Sequence, residues 1–159
     1  MQTPLVEFSP AKMKALVESF TPERLATFLD VTDLSADTQE PKMAKIAGWA
    51  KTYNCASVCV NPVEATDVMP ALLQGSDINE CYVIDFPLGK MDIEMKAALT
   101  AHTVKKSREI RGEGNGKIDL DMVINVGRFK KDKTYALAEI NAVVEAADGE
   151  HVKVIVRSA

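Results

Sequence analysis

The stretch Ile118-Asp-Leu-Asp-Met-Val-Ile-Asn-Val126 alternates between apolar and polar side chains, broken once at Val123. In an extended chain Ile118, Leu120, Met122 and Ile124 share one face, and Asp119, Asp121, Val123 and Asn125 share the other. A parallel strand covered by helices on both sides is apolar on both faces, and this one is not. Holding Asp121 inside such a run is costly unless its carboxylate is paired or protonated. The stretch His151-Val-Lys-Val-Ile-Val-Arg157 repeats the pattern, with Val152, Val154 and Val156 opposite His151, Lys153, Ile155 and Arg157. Neighbouring strands lie about 4.8 Å apart, so Asp121 and Lys153 meet if both point to the same side. A carboxylate beside a desolvated lysine suits proton transfer at a carbonyl substrate. The same spacing also fits a structural ion pair that closes a barrel floor.

Strand and helix textures alternate along the chain. Ser9-Pro10 opens a helix through Met13, Leu16, Val17 and Phe20, and Thr21-Pro22 opens a shorter turn. Leu29–Thr32 is a short strand, followed by a helix over about 38–53 with Met43, Ile46, Ala47 and Ala50 on one face. Cys55–Val60 is a strand ended by Asn61-Pro62, and a single helix is expected over about 63–73. Cys81–Phe86 is the third strand, stopped by Pro87 and Gly89, and a long helix covers about 91–110. Gly112, Gly114 and Gly116 break that helix. A strand over 118–126 is expected to close at Gly127, with a helix over about 131–147 and a last strand over 152–156. Five strands joined by four helices imply right-handed crossovers and a parallel sheet. Polar groups recur on one face of the other strands too: Asp30 and Thr32; Cys55, Ser57, Cys59 and Asn61; Cys81 and Asp85. Helices on one side and a polar interior on the other fit an arc of a β/α barrel better than an open doubly wound sheet of flavodoxin type.

Composition narrows the function classes. The 159 residues are 47% hydrophobic and 26% charged, values of an ordinary globular domain. A full eight-stranded barrel needs roughly 200–250 residues, so a partial one is expected: residues 1–28 as an N-terminal helical segment and 29–159 as strands one to five. A net charge of −4, with no basic stripe, argues against nucleic acid. No secretory signal opens the chain, and no 18-residue apolar run crosses a membrane. Three cysteines without framework spacing point to reducing cytoplasm. There is no HExxH, CxxC or Walker A motif. By residue type alone, Asp30 and Thr32 suit a turn cap at the end of the first strand. Cys59 suits a small buried side chain that matters only if it faces the same pocket.

Five stretches in this order resemble 2-deoxy-D-ribose-5-phosphate aldolases: Leu29-Asp-Val-Thr-Asp-Leu34, Ser57-Val-Cys-Val-Asn-Pro62, Val83-Ile-Asp-Phe-Pro-Leu-Gly89, Asp119-Leu-Asp-Met-Val-Ile-Asn-Val-Gly127 and Val152-Lys-Val-Ile155. The resemblance implies an α/β fold of the (β/α)8 TIM-barrel type, truncated here to about five strands, four crossover helices and an N-terminal helix. It implies reversible cleavage of deoxyribose 5-phosphate to acetaldehyde and glyceraldehyde 3-phosphate through a Schiff base, with no metal or organic cofactor. It assigns Asp121 to proton transfer and water activation, Lys153 to the fifth-strand lysine of the same catalytic site, Asp30 and Thr32 to the wall of the substrate pocket, and Cys59 to a position near that pocket.

The chain also departs from the family pattern. The family's Schiff-base lysine lies on a sixth strand in a Lys-Thr-Ser-Thr-Gly type stretch, and its phosphate-binding glycines and serines lie further on. No such lysine stretch occurs in these residues. Val156-Arg-Ser-Ala159 stands where a Glu-Thr-Gly-like stretch is usual, and Arg111–Gly116 is longer and richer in glycine than the usual entry to strand four. Lys153 is the strand lysine expected to face the pocket, so a Schiff base formed on this chain would depend on it. Two readings follow. One is an aldolase polypeptide of which the first five strands are present, its open edge covered by the remaining half or by another copy. The other is a noncatalytic relative that pairs that edge with a partner.

Overall fold

A computed structural model describes residues 9–112 and 116–156. Gly114 and Arg157, singled out above, lie outside the described residues, as do residues 1–8.

Two short helices come first. α1 (Pro10–Glu18) and α2 (Pro22–Ala26) are capped by Ser9 and Thr21, each followed by proline at the first helical position. The strands are β1 (Asp30–Thr32), β2 (Ser57–Val60), β3 (Asn79–Ile84), β4 (Ile118–Val123) and β5 (His151–Ile155). They form one parallel sheet in the order β1-β2-β3-β4-β5. The crossovers are α3 (Glu40–Tyr53); a 3-10 turn (Pro62–Thr66) with α4 (Met69–Leu73); α5 (Ile93–Arg111); and α6 (Val126–Lys131) with α7 (Lys133–Ala146).

Two expectations are corrected here. The single helix over 63–73 is split, because Asp67 leaves helical geometry and Pro70, which has no N–H to donate, lies in the first turn of α4. The fourth strand ends at Val123 rather than at Gly127. Asn125 caps a new helix by accepting a hydrogen bond from Arg128 N, and Gly127 belongs to that helix.

The outward face of the sheet makes the core. Val58, Val60, Tyr82, Ile84, Leu120 and Met122 are fully buried against Met43, Ala50, Met69, Leu73 and Val143 from the helices. Each large apolar side chain there contributes about 1.5–3 kcal/mol by leaving water. One polar group joins this face. Glu80 is buried and held by Arg111 Nη1 at 2.8 Å, by Tyr82 Oη at 2.6 Å and by Ser107. The concave face carries a smaller apolar cluster, Cys59, Cys81 and Val83 with Leu34, among polar neighbours.

A single contact measures the curvature. Lys153 on β5 donates to Asp30 on β1 at 2.9 Å. In a flat sheet four strand spacings, about 19 Å, would separate those edges, beyond the reach of one side chain. The sheet is therefore curled as in a barrel, with both edges turned toward a shared concave side.

Candidate active site

Register decides which concave-face groups meet. Asp121 and Lys153 are paired positions of β4 and β5, and Asp119 stands opposite His151. Cys59 stands opposite Cys81, and Asp30 opposite Ser57. Strand alternation aims all of these side chains to the concave side.

Lys153 is the centre. Its ammonium lies 2.9 Å from Asp30 Oδ2, 3.1 Å from Asp121 Oδ1 and 3.7 Å from Asp119 Oδ2. Ser57 Oγ donates to the other oxygen of Asp30 at 2.6 Å. Asp119 is steadied by Asn79 Nδ2 at 3.4 Å and by His151 Nδ1 at 3.2 Å, and Asn79 accepts from the Lys117 amide. Burial works against the Lys153 charge, but the hydrogen bond to Asp30 and the Asp121 carboxylate outweigh it. The net effect raises its pKa above the ordinary lysine value. Lys153 is thus held as a cation at neutral pH. An amine nucleophile needs the opposite setting, a hydrophobic or cationic one that favours the free base.

The thiols stand beside this cluster. Cys59 and Cys81 stand opposite each other; the neighbouring Cys81 thiol favours the Cys59 thiolate against the effect of burial, whereas Cys59 and burial both push the Cys81 thiol up.

The sequence-derived residues separate into two groups. Asp30, Asp121 and Lys153 come together directly, and Cys59 borders them. Thr32 shares the concave face, but its hydroxyl donates to the Asp30 carbonyl at 2.9 Å and takes no part in the cluster. Ser57, Asn79, Cys81 and Asp119 belong to the site and were not singled out as site residues. The alternation that found Asp121 also marks Asp119, Ser57 and Cys81. Asn79 precedes the expected start of β3, so only the register shows it. Asp85 lies apart. It accepts from Met91 N at 2.7 Å and stands 3.2 Å from Lys96, at the base of the loop after β3.

A second ionic group supports the strand ends. Lys96 of α5 is fully buried and donates to Val123 O at 2.7 Å and to Glu139 of α7. Glu139 also accepts from Asn125 N at 3.0 Å. The group ties two crossover helices to the point where β4 ends and the chain turns into α6.

Comparison with known proteins agrees with this fold. The deoxyribose-phosphate aldolase of Clostridium perfringens strain SM101 is 39% identical over 138 residues, covering 86% of this chain and 57% of the relative. That of Halalkalibacterium halodurans is 39% identical over 137 residues, covering 84% and 57%. Among solved structures, a putative deoxyribose-phosphate aldolase from Coccidioides immitis superposes with a TM-score of 0.73 at 26% identity, over 84% of this chain and 49% of the other. The deoxyribose-phosphate aldolase of Aeropyrum pernix, described as tetrameric, gives the same TM-score at 24% identity over 89% and 56%. No family model matches. The chain spans 57% of the length of these curated relatives. By sequence over most of its own length, and by the fold of its curled parallel sheet, the chain is similar to the deoxyribose-phosphate aldolases.

Proposed function

We propose that this chain carries the proton-handling part of a site that cleaves a 2-deoxy sugar phosphate by a retro-aldol step. The observation that supports it is the Asp121–Lys153 pair, 3.1 Å apart at mid-strand on the concave face of a chain similar to the aldolases. Cleavage removes a proton from the hydroxyl on carbon 3 as the bond to carbon 2 breaks, and carbon 2 then takes up a proton. In this reading Asp121 accepts and returns the proton. Lys153 acts as a fixed cation that stabilises negative charge on oxygen, and Asp30 with Ser57 sets its position. The covalent amine is not Lys153, because its carboxylate neighbours keep it protonated. The products are acetaldehyde and glyceraldehyde 3-phosphate, and the site needs no metal or organic cofactor for this step.

Three free buried thiols and a phosphorylated sugar substrate support a cytoplasmic setting. Among the described residues no helix is long and apolar enough to cross a membrane. Among the described residues β1 and β5 are the edges of the sheet, which supports either a homo-oligomer or further polypeptide that completes the barrel.

A noncatalytic binding role is the second reading, favoured by the protonated state of Lys153. Turnover of 2-deoxyribose 5-phosphate by protein purified from its native source separates the two. Acetaldehyde release that falls at least about a hundredfold in kcat in Asp121→Asn supports the aldolase reading. Protein of this chain's mass that folds, binds the sugar phosphate and releases no acetaldehyde refutes it.

A further inference from the structure

Cys59 and Cys81 are register partners on adjacent strands, so their thiols leave the concave face one rung apart. Asp121, on the next strand, completes a triangle. One ligand atom from each residue (two sulfurs and a carboxylate oxygen) lies within 4.8 Å of the others. Both cysteines are buried, and Asp121 is half-buried. Asp121 Oδ1 accepts no well-directed hydrogen bond, although the Lys153 ammonium stands 3.1 Å away.

We propose that Cys59, Cys81 and Asp121 form a binding site for a thiophilic divalent cation of the zinc and cadmium type. Two thiolates and one carboxylate are a soft, anionic donor set that favours such ions over magnesium or calcium. Zinc–sulfur bonds of about 2.3 Å and zinc–oxygen bonds of about 2.0–2.2 Å put tetrahedral donors about 3.6–3.8 Å apart, which lies inside the 4.8 Å within which this triangle holds its donors. The fourth position faces the open concave side, where water completes the shell. Binding releases the two thiol protons to solvent. It also takes Asp121 away from Lys153, whose ammonium keeps Asp30 and Asp119 as partners. Cation and ammonium therefore compete for one carboxylate. The cation has no assigned part in catalysis, and the site stands whether or not the aldolase reading does.

The test is a titration of the full chain, kept reduced with a phosphine, using Cd2+ and Zn2+. The expected result is one bound ion per chain and, with Cd2+, a thiolate-to-metal charge-transfer band, with no response to Mg2+. Cys59→Ser and Cys81→Ser should each reduce the band by about half, since one thiolate remains, and weaken binding at least about tenfold. Cys55→Ser should change neither, since Cys55 belongs to the outer core. Asp121→Asn should keep the band and weaken binding about tenfold. Lys153→Met should tighten binding, because it removes the competitor for Asp121. Circular dichroism verifies that each variant folds, and the Lys153→Met gain cannot arise from unfolding. Equal losses in Cys55→Ser and Cys59→Ser overturn the proposal, as does affinity indifferent to both Asp121→Asn and Lys153→Met.

Discussion

Replacing Lys96 by methionine should destabilise the protein by about 3–5 kcal/mol, the usual cost of removing one partner from a buried charge group. The structure shows where that cost arises. The Lys96 ammonium is fully buried and has three partners: Val123 O at 2.7 Å, Glu139 Oε1, and Asp85 Oδ2 at 3.2 Å. Methionine keeps most of the side-chain volume, so little of the loss comes from a cavity. What remains is two carboxylates shut away from water with no cation between them. Each keeps one amide donor, Asn125 N for Glu139 and Met91 N for Asp85, which softens the penalty without removing it. With a urea m-value near 2 kcal/mol/M for a chain of this size, the unfolding midpoint should fall by about 2 M. Glu139→Gln should cost less, about 1.5–3 kcal/mol, because Asp85 still faces the ammonium and the amide oxygen still accepts. The double variant should lose clearly less than the sum, since the second change removes a charge that the first left stranded. Urea unfolding followed by far-ultraviolet circular dichroism measures all three. A loss below about 1 kcal/mol in Lys96→Met, or strict additivity in the double variant, would refute the reasoning.

Acid should act through Asp33, whose carboxyl is held well below the usual range by Lys42 and by the Ser35 amide. That stabilisation is fully present above the unfolded carboxyl value of about 3.9 and disappears as pH falls through the depressed folded value. The Tm advantage of the wild type over Asp33→Asn should therefore shrink from about pH 4 downward, and a gap constant across the acid range counts against it. Gly89→Ala should lower Tm by about 5 °C or more. Gly89 has φ +64°, and a Cβ there would stand 2.3 Å from Ile124 O. Gly75→Ala, with φ +69° and open space around it, should cost less, and equal losses would remove the argument from contact. In the aldolase reading Lys153→Arg should keep more turnover than Lys153→Met, because the fixed charge is what matters. Equal kcat values for the two would show that it does not.

Much of the sheet was legible from alternation. The opposed faces of 118–124 and 151–157 distinguished a concave polar side from a helix-covered one. The same faces brought Asp121 to Lys153, because both parity and strand adjacency are local properties. Register is not local, and that is why Asn79 joined the site unannounced and Cys81 was not linked to Cys59. The split at Pro70 follows from a missing amide that a hydrophobic periodicity does not register. Asn125-Val-Gly resembles a strand end, whereas the Asn125 side chain starts a helix. Lys96 and Glu139 were the least visible. On their own helices they look like solvated charges, and only the packing of α5 beside α7 reveals that each neutralises the other.

The contact between Asp30 and Lys153 closes a loop of 123 residues. Loop closure on that scale costs about 4 kcal/mol of chain entropy, more than a pair of ions one-third exposed returns. The ion pair therefore cannot lead folding. The strands between them must pair before the first and the last can meet. Such a chain acquires its chemistry as the final event of folding, and the chemical groups are passengers on a scaffold that is already complete. Asp30, Asp121 and Lys153 can then be exchanged as a set, since losing the ammonium alone strands three carboxylates, and the concave face can change its trade while the outer core stays as it is.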